Sequence, residues 1–288
     1  MGRKPLRAPT RLLYIILHQH LCECNVDPLS FEFLRQLSAN PDNTVVGLVR
    51  DKATTDKKVA EELNRPNIHI VQADVADYDS LKKSVDIVSP IVNGSLDYII
   101  ANAGYITKFS QYDPIGVLGE RDPKGLEEDF LNCFKVNVVG NVHLFNLYLP
   151  LVLKGRTKKI ITLSSGMADL DMANKYKLAL AAPYSVSKVA MNAVTVKFHA
   201  QYADQGVLFM NICPGAVDTG VFEGATEEQM KAVMAQLASF QEYSPTFKGL
   251  ITPAESVQCM LSVIDKASLE GGYGGGFISH LGKGEKWI

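Results

Sequence analysis

At 288 residues, 47% of them hydrophobic and 21% charged, the chain is long enough to bury one large core and too apolar to be a disordered segment. A formal net charge of −2 leaves no basic footprint for nucleic acid, and the apolar run at residues 12–17 is too short to span a membrane. Five scattered cysteines read as reduced thiols of a cytoplasmic protein rather than a disulfide framework, and neither Gly-x-Ser-x-Gly nor His-Glu-x-x-His is present to point to a hydrolase.

Residues 1–30 are atypical. They are basic before Glu23 through Arg3, Lys4, Arg7 and Arg11, a faint transit-peptide character, and residues 12–17 could form a first strand. His18, His20, Cys22 and Cys24 alternate in a way that would project four ligands from one strand face. Strand neighbours two apart do not close a tetrahedron without a second cluster, so no metal is assigned. Asp27-Pro28 reads as a helix cap followed by proline at the first helical position.

A helix through Phe31 to Leu37 and a strand over 43–50, ending at Arg50, come next. Residues 70–75 read as a strand ending in Asp74 and Val75, and 96–104 as a strand running into Asn102-Ala103-Gly104. Residues 105–125, rich in glycine, proline and charge, predict a long loop before a helix over 126–134, and Asn137 sits near the start of an apolar helix ending at Pro150. The run 160–163 leads into Ser164-Ser165; after a further 166–183 stretch, Tyr184-Ser-Val-Ser-Lys188 opens a helix of small and apolar residues to about 200. A strand from Asn211 ends in Pro214-Gly215, with Val217 and Thr219 beyond. Thr226 caps a helix carrying Met230, Met234 and Leu237, which could touch an apolar substrate, and 271–276 reads as a glycine-rich loop. Strand-like and helix-like segments alternate, implying an α/β fold: one domain with a parallel sheet and helices on both faces.

Tyr184 and Lys188 carry the chemistry. An offset of four puts them on one helix face. A free phenol with a pKa near 10 shuttles protons poorly at neutral pH unless a neighbouring cation stabilises the phenolate, and Lys188 could be that cation. A serine hydroxyl at the preceding strand end, Ser165 or else Ser164, can hold a substrate carbonyl where the phenol protonates it as hydride reaches carbon. A second Tyr-x-x-x-Lys pair, Tyr78 and Lys82, lies in a polar stretch with no serine-bearing strand before it and reads as a solvated helix face.

In this order and spacing the segments resemble the single-domain branch of the short-chain dehydrogenase/reductase family, over roughly 31–288. The resemblance implies a Rossmann-type doubly wound sheet and a catalytic tetrad of Asn137, Ser165, Tyr184 and Lys188. Tyr184 would be the acid/base, Lys188 would also hold the nicotinamide ribose, and Asn137 would position a water. Asp74 and Val75 would flank the adenine, Asn102, Ala103 and Gly104 would line the cofactor cleft, and Pro214, Val217 and Thr219 would cover the nicotinamide end. Arg50 at the end of the second strand favours NADP over NAD, although Asp51 lies beside it. The stretch 166–183 is longer than the family's usual spacing and is expected to shape the pocket. The implied partners are a small carbonyl or alcohol substrate and a second copy of the chain in a homo-oligomer, with no nucleic acid or membrane.

One departure stands against this. The family's glycine-rich phosphate loop would place glycines at about Cys24, Pro28 and Ser30, and a capping Asp27 would set a carboxylate where a phosphate should bind. Residues 1–30 are then an aberrant start, a divergence that abolished cofactor binding, or the carrier of a new role. The alternative to an NADP-preferring oxidoreductase is a non-catalytic protein that keeps the fold.

Overall fold

Short runs of branched and aliphatic residues pair into one seven-stranded sheet in a computed structural model that describes residues 27–222 and 224–288 and, for 13–18, the course of the backbone. The strands are β1 (Leu13–His18), β2 (Thr44–Val49), β3 (Ile68–Gln72), β4 (Tyr98–Ala101), β5 (Lys159–Leu163), β6 (Leu208–Cys213) and β7 (Phe277–Ser279), in the order β3-β2-β1-β4-β5-β6-β7. Every pairing is parallel, β1 lying between β2 (Leu13 opposite Thr44) and β4 (Tyr14 opposite Tyr98). This is the doubly wound arrangement; its order reverses between β1 and β4, which opens a crevice at the carboxyl ends of those strands.

The helices are α1 (Pro28–Leu37), α2 (Lys52–Glu62), α3 (Tyr78–Ile91), α4 (Ile115–Arg121), α5 (Pro123–Phe134), α6 (Gly140–Val152), α7 (Leu170–Lys175), α8 (Ala182–Tyr202), α9 (Glu227–Tyr243) and α10 (Pro253–Lys266). Strand residues alternate between two cores, as a sheet covered on both faces requires. Val46, Leu48, Ile99 and Phe209 pack under Leu81 of α3, Phe145 and Tyr148 of α6 and Met191 of α8. Val45, Val49, Ile100 and Met210 pack under Phe33 and Leu34 of α1 and Met260 of α10. Cys133 and Cys213 are buried and Cys259 half-buried. Tyr78 is 46% exposed at the head of α3.

The 105–125 stretch is not one long loop: it folds the two-turn α4, and α5 starts earlier than expected, at Pro123. Asp122 accounts for the early start, since its carboxylate accepts from Gly125 N at 2.9 Å and Pro123 fills the first position. Among the described residues, no helix is long and apolar enough to cross a membrane.

Candidate active site

β5 ends at Leu163 and delivers Ser164 and Ser165 to the carboxyl edge of the sheet. Ala181, left-handed at φ 53°, and Pro183 set the first turn of α8, so that Tyr184 enters the same cleft with Lys188 one turn behind it. Lys188 Nζ lies 5.6 Å from the Tyr184 ring centroid and donates to the Leu163 carbonyl at 2.8 Å. Burial pushes the Tyr184 phenol well above the usual tyrosine range, a hydrogen bond with Ser165 working against it. Burial also draws the Lys188 ammonium down to about 8, with the Cys133 thiol, Asp27 and the Cys213 thiol pulling the other way. The ammonium is thus bound to a carbonyl rather than to the phenol oxygen, and Tyr184 is protonated at neutral pH. Ser165 Oγ accepts from Met167 N at 3.2 Å, whereas the buried Ser164 Oγ has no hydrogen-bond partner among the described residues.

Asn137 lies in a π-helical turn, Lys135–Val139, between α5 and α6, the kind of helix irregularity that often accompanies a site. Its side chain is fully used: Oδ1 accepts from Tyr105 N at 2.7 Å, and Nδ2 donates to Tyr105 O at 3.0 Å and Ser187 Oγ at 2.8 Å. It therefore fastens the segment after Gly104 to the helix that carries Tyr184 and Lys188.

At the other end of the cleft, Asp27 caps α1 and Pro28 occupies its first turn. One carboxylate oxygen, Oδ2, accepts from Ser30 N at 2.8 Å and from Asn102 Nδ2 at 2.5 Å. Asn102 also donates to Ser30 Oγ at 2.5 Å, tying the turn after β4 to the head of α1. Ala103 is buried, and a Cβ at Gly104 would make only an ordinary contact with Lys188 Nζ, at 3.8 Å. Asp74 follows β3 and turns its carboxylate to Ala76 N at 2.8 Å, while the Val75 carbonyl lies against Gly140, where a Cβ would come within 2.6 Å. Arg50 is exposed at the end of β2, and Asp51 beside it caps α2 through Thr54 N at 3.0 Å. Of the metal-like pattern, His20, Cys22 and Cys24 lie outside the described residues, as does Cys24 of the three positions where glycines were expected.

Pro214, Val217 and Thr219 line the cleft after β6. Gly215 is needed in that turn: at φ 86°, a Cβ there would meet the His280 imidazole at 2.7 Å. The cleft brings together Asp27, Asn102, Gly104, Ser164, Ser165, Tyr184 and Lys188 with these three residues. Arg50, Asp74, Val75, Ala103 and Asn137 are not among its lining. Of the three α9 residues expected at the substrate, Leu237 lines it while Met234 is 59% exposed, because Val233, Gln236, Leu237 and Phe240 form the inward stripe of that helix. The 166–183 stretch contributes Met167, Met172, Leu180 and Ala181. Trp287 and Ile288 also line the cleft and were not singled out by sequence reasoning; they follow glycine-rich turns and carry no periodic signal.

The short chain dehydrogenase family model matches residues 29–230. The chain belongs to the short-chain dehydrogenase/reductase family. This short-chain dehydrogenase is 56% identical over 261 residues to the short chain dehydrogenase virK of Hypocrea virens, covering 90% of this chain and 96% of that one. It is 43% identical over 262 residues to the short-chain dehydrogenase/reductase iacC of Pestalotiopsis fici, with the same coverage. Among solved structures, the NADPH-bound carbonyl reductase from chicken fatty liver superposes with a TM-score of 0.73 at 22% identity, covering 96% of this chain and all of that one (100%). The protein is thus an oxidoreductase of a family that uses NAD or NADP.

The site fits such a cofactor unequally. Lys188 and the unpartnered Ser164 hydroxyl, both lining the cleft, suit a nicotinamide ribose. The head of α1 does not suit a pyrophosphate, because Pro28 has no N–H, Ser30 N is taken by Asp27, and a carboxylate stands where an anion would dock.

Proposed function

We propose that the protein is an NADP-preferring ketone reductase in which Tyr184 donates the proton, Ser165 orients the carbonyl and Lys188 keeps the nicotinamide ribose and the proton path in place. The observation that carries this reading is a protonated phenol, raised by burial, hydrogen-bonded to Ser165 in the cleft that also holds Lys188. A buried phenol stays protonated, so the proton is present to be donated to an oxygen that is gaining charge. NADPH would supply the hydride. Ser165 would hold the ketone oxygen within reach of the phenol, Tyr184 would protonate that oxygen, and Lys188, with a pKa drawn down to about 8, can return a proton to the phenolate near neutral pH. Asn137 acts at one remove, by fixing Tyr105 and Ser187. Arg50, exposed beside a strand end, supports a contact to a ribose 2′-phosphate.

One observation favours the rival reading of a fold that no longer takes a dinucleotide: the Asp27 carboxylate at the head of α1. A thermal-shift titration separates the two. A saturable rise in melting temperature, larger with NADPH than with NADH, supports the reductase, since a ligand of the folded state must stabilise it; no shift in a folded sample sinks it. Tyr184→Phe should keep that shift and lose about a hundredfold or more in turnover, because only the proton transfer is removed.

A further inference from the structure

Residues 285–288 run back from β7 into the substrate end of the cleft, and Trp287 is fixed there from several sides. Its ring stacks on Phe277, with centroids 4.1 Å apart and planes at 17°. Its Nε1 donates to Asp169 Oδ2 at 2.7 Å and its backbone N donates to Tyr243 Oη at 3.3 Å. Gly166 lies directly beneath, where a Cβ would come within 3.0 Å of Trp287 Cβ. Lys286 adds a bond from Nζ to the Tyr243 carbonyl at 2.8 Å. The indole therefore ties together three segments far apart in sequence: the stretch between Ser165 and Tyr184, the end of α9, and β7. Phe277 covers one ring face, so the rest of the indole is what lines the cleft, an apolar surface that costs little entropy to use.

The charge of the cleft narrows what lies on that surface. Among the described lining residues only Asp27 and Lys188 are charged; Asp27 caps α1 at the far end, and Lys188 Nζ is bound to the Leu163 carbonyl. Among the described lining residues no Arg or His, and no Lys besides Lys188, is there to pair with a carboxylate or phosphate, and an unpaired anion buried there is costly. Besides Ser165 and Tyr184, the polar contribution includes Gln236, whose buried amide oxygen lacks a partner among the described residues and suits a hydroxyl of an uncharged ligand.

We propose that Trp287 determines substrate choice, and that the site takes an uncharged, ring-bearing ketone whose flat ring lies against the indole. This rests on the ketone-reductase reading above. Trp287 is the single tryptophan of the chain, so its emission reports binding without any turnover. The probes are 2-acetonaphthone, 2-decanone and 2-oxooctanoate. Saturable quenching by 2-acetonaphthone, with a Kd about tenfold or more below that of 2-decanone and no saturation by the oxoacid, is expected. Trp287→Leu should then lose about tenfold in kcat/KM on 2-acetonaphthone through KM, lose clearly less on 2-decanone, keep its NADPH shift, and regain most of the loss as Trp287→Phe.

Equal losses on both ketones, or tight binding of the oxoacid, overturns the proposal. Should Trp287→Leu fail to fold, quenching of the unaltered protein decides. Quenching without turnover of any ketone refutes the reductase reading while leaving the ring-binding surface intact, and turnover without selective quenching does the reverse.

Discussion

Replacing Asp27 with Asn isolates the charge at the head of α1 from its structural work. Two hydrogen bonds to Asp27, from Ser30 N at 2.8 Å and Asn102 Nδ2 at 2.5 Å, reach the same oxygen, Oδ2, so an amide oxygen placed there accepts both. Asn is as good a helix cap as Asp, and losing the charge assistance of those two bonds costs about 1 kcal/mol. The gain is in anion binding. Two unit charges about 8 Å apart at an effective dielectric of about 20 repel by about 2 kcal/mol, which is about thirtyfold in Kd. Calorimetric titration of the folded Asp27→Asn protein with NADPH should therefore show clearly tighter binding than the unaltered protein, and ADP should gain likewise because it carries the same diphosphate. Lys188 gives a second signal: Asp27 helps to hold its pKa up, so the variant should titrate that ammonium still further below about 8. A variant with unchanged melting temperature and no gain in affinity for either nucleotide would refute the idea that this carboxylate opposes the cofactor.

Two other substitutions test the remaining charges. Arg50→Asp should weaken NADPH by about tenfold or more while changing NADH little, because an arginine-phosphate contact is lost and a repulsion gained; equal effects on the two, measured by the same titration, would remove the 2′-phosphate contact. Lys188→Met tests the buried ammonium through stability. With a folded pKa lowered to about 8 from 10.5, Lys188 costs about 3 kcal/mol below pH 8, and the cost fades between pH 8 and 10.5 because the unfolded chain still binds the proton that the folded chain has released. The variant should gain stability relative to the unaltered protein at pH 7, less what the undonated Leu163 carbonyl costs, about 1–3 kcal/mol. That advantage should shrink as denaturant melts are repeated towards pH 10. A pH-independent difference would mean that the ammonium is solvated.

What could be read from the sequence was whatever local chemistry dictates. The Asp27-Pro28 cap was legible because both residues act within one turn, and the Tyr184–Lys188 spacing was legible because a helix returns to the same face after four residues. Even the alternation of β2 between two cores follows from the pleat. What stayed hidden was set by contacts between distant segments. Nothing near Asn102 announces that its amide closes on Asp27, 75 residues earlier, and nothing near Trp287 announces Asp169, 118 residues before it. The electrostatics of the Tyr184–Lys188 pair likewise depends on such contacts. Spacing alone made Lys188 a stabiliser of the Tyr184 phenolate, but the fold buries both groups and offers the ammonium the Leu163 carbonyl instead. Burial then outweighs the pair attraction and keeps the phenol protonated. A motif fixes which side chains meet, while the depth at which the sheet buries them decides which of them carries the proton, and here that depth keeps it on the phenol.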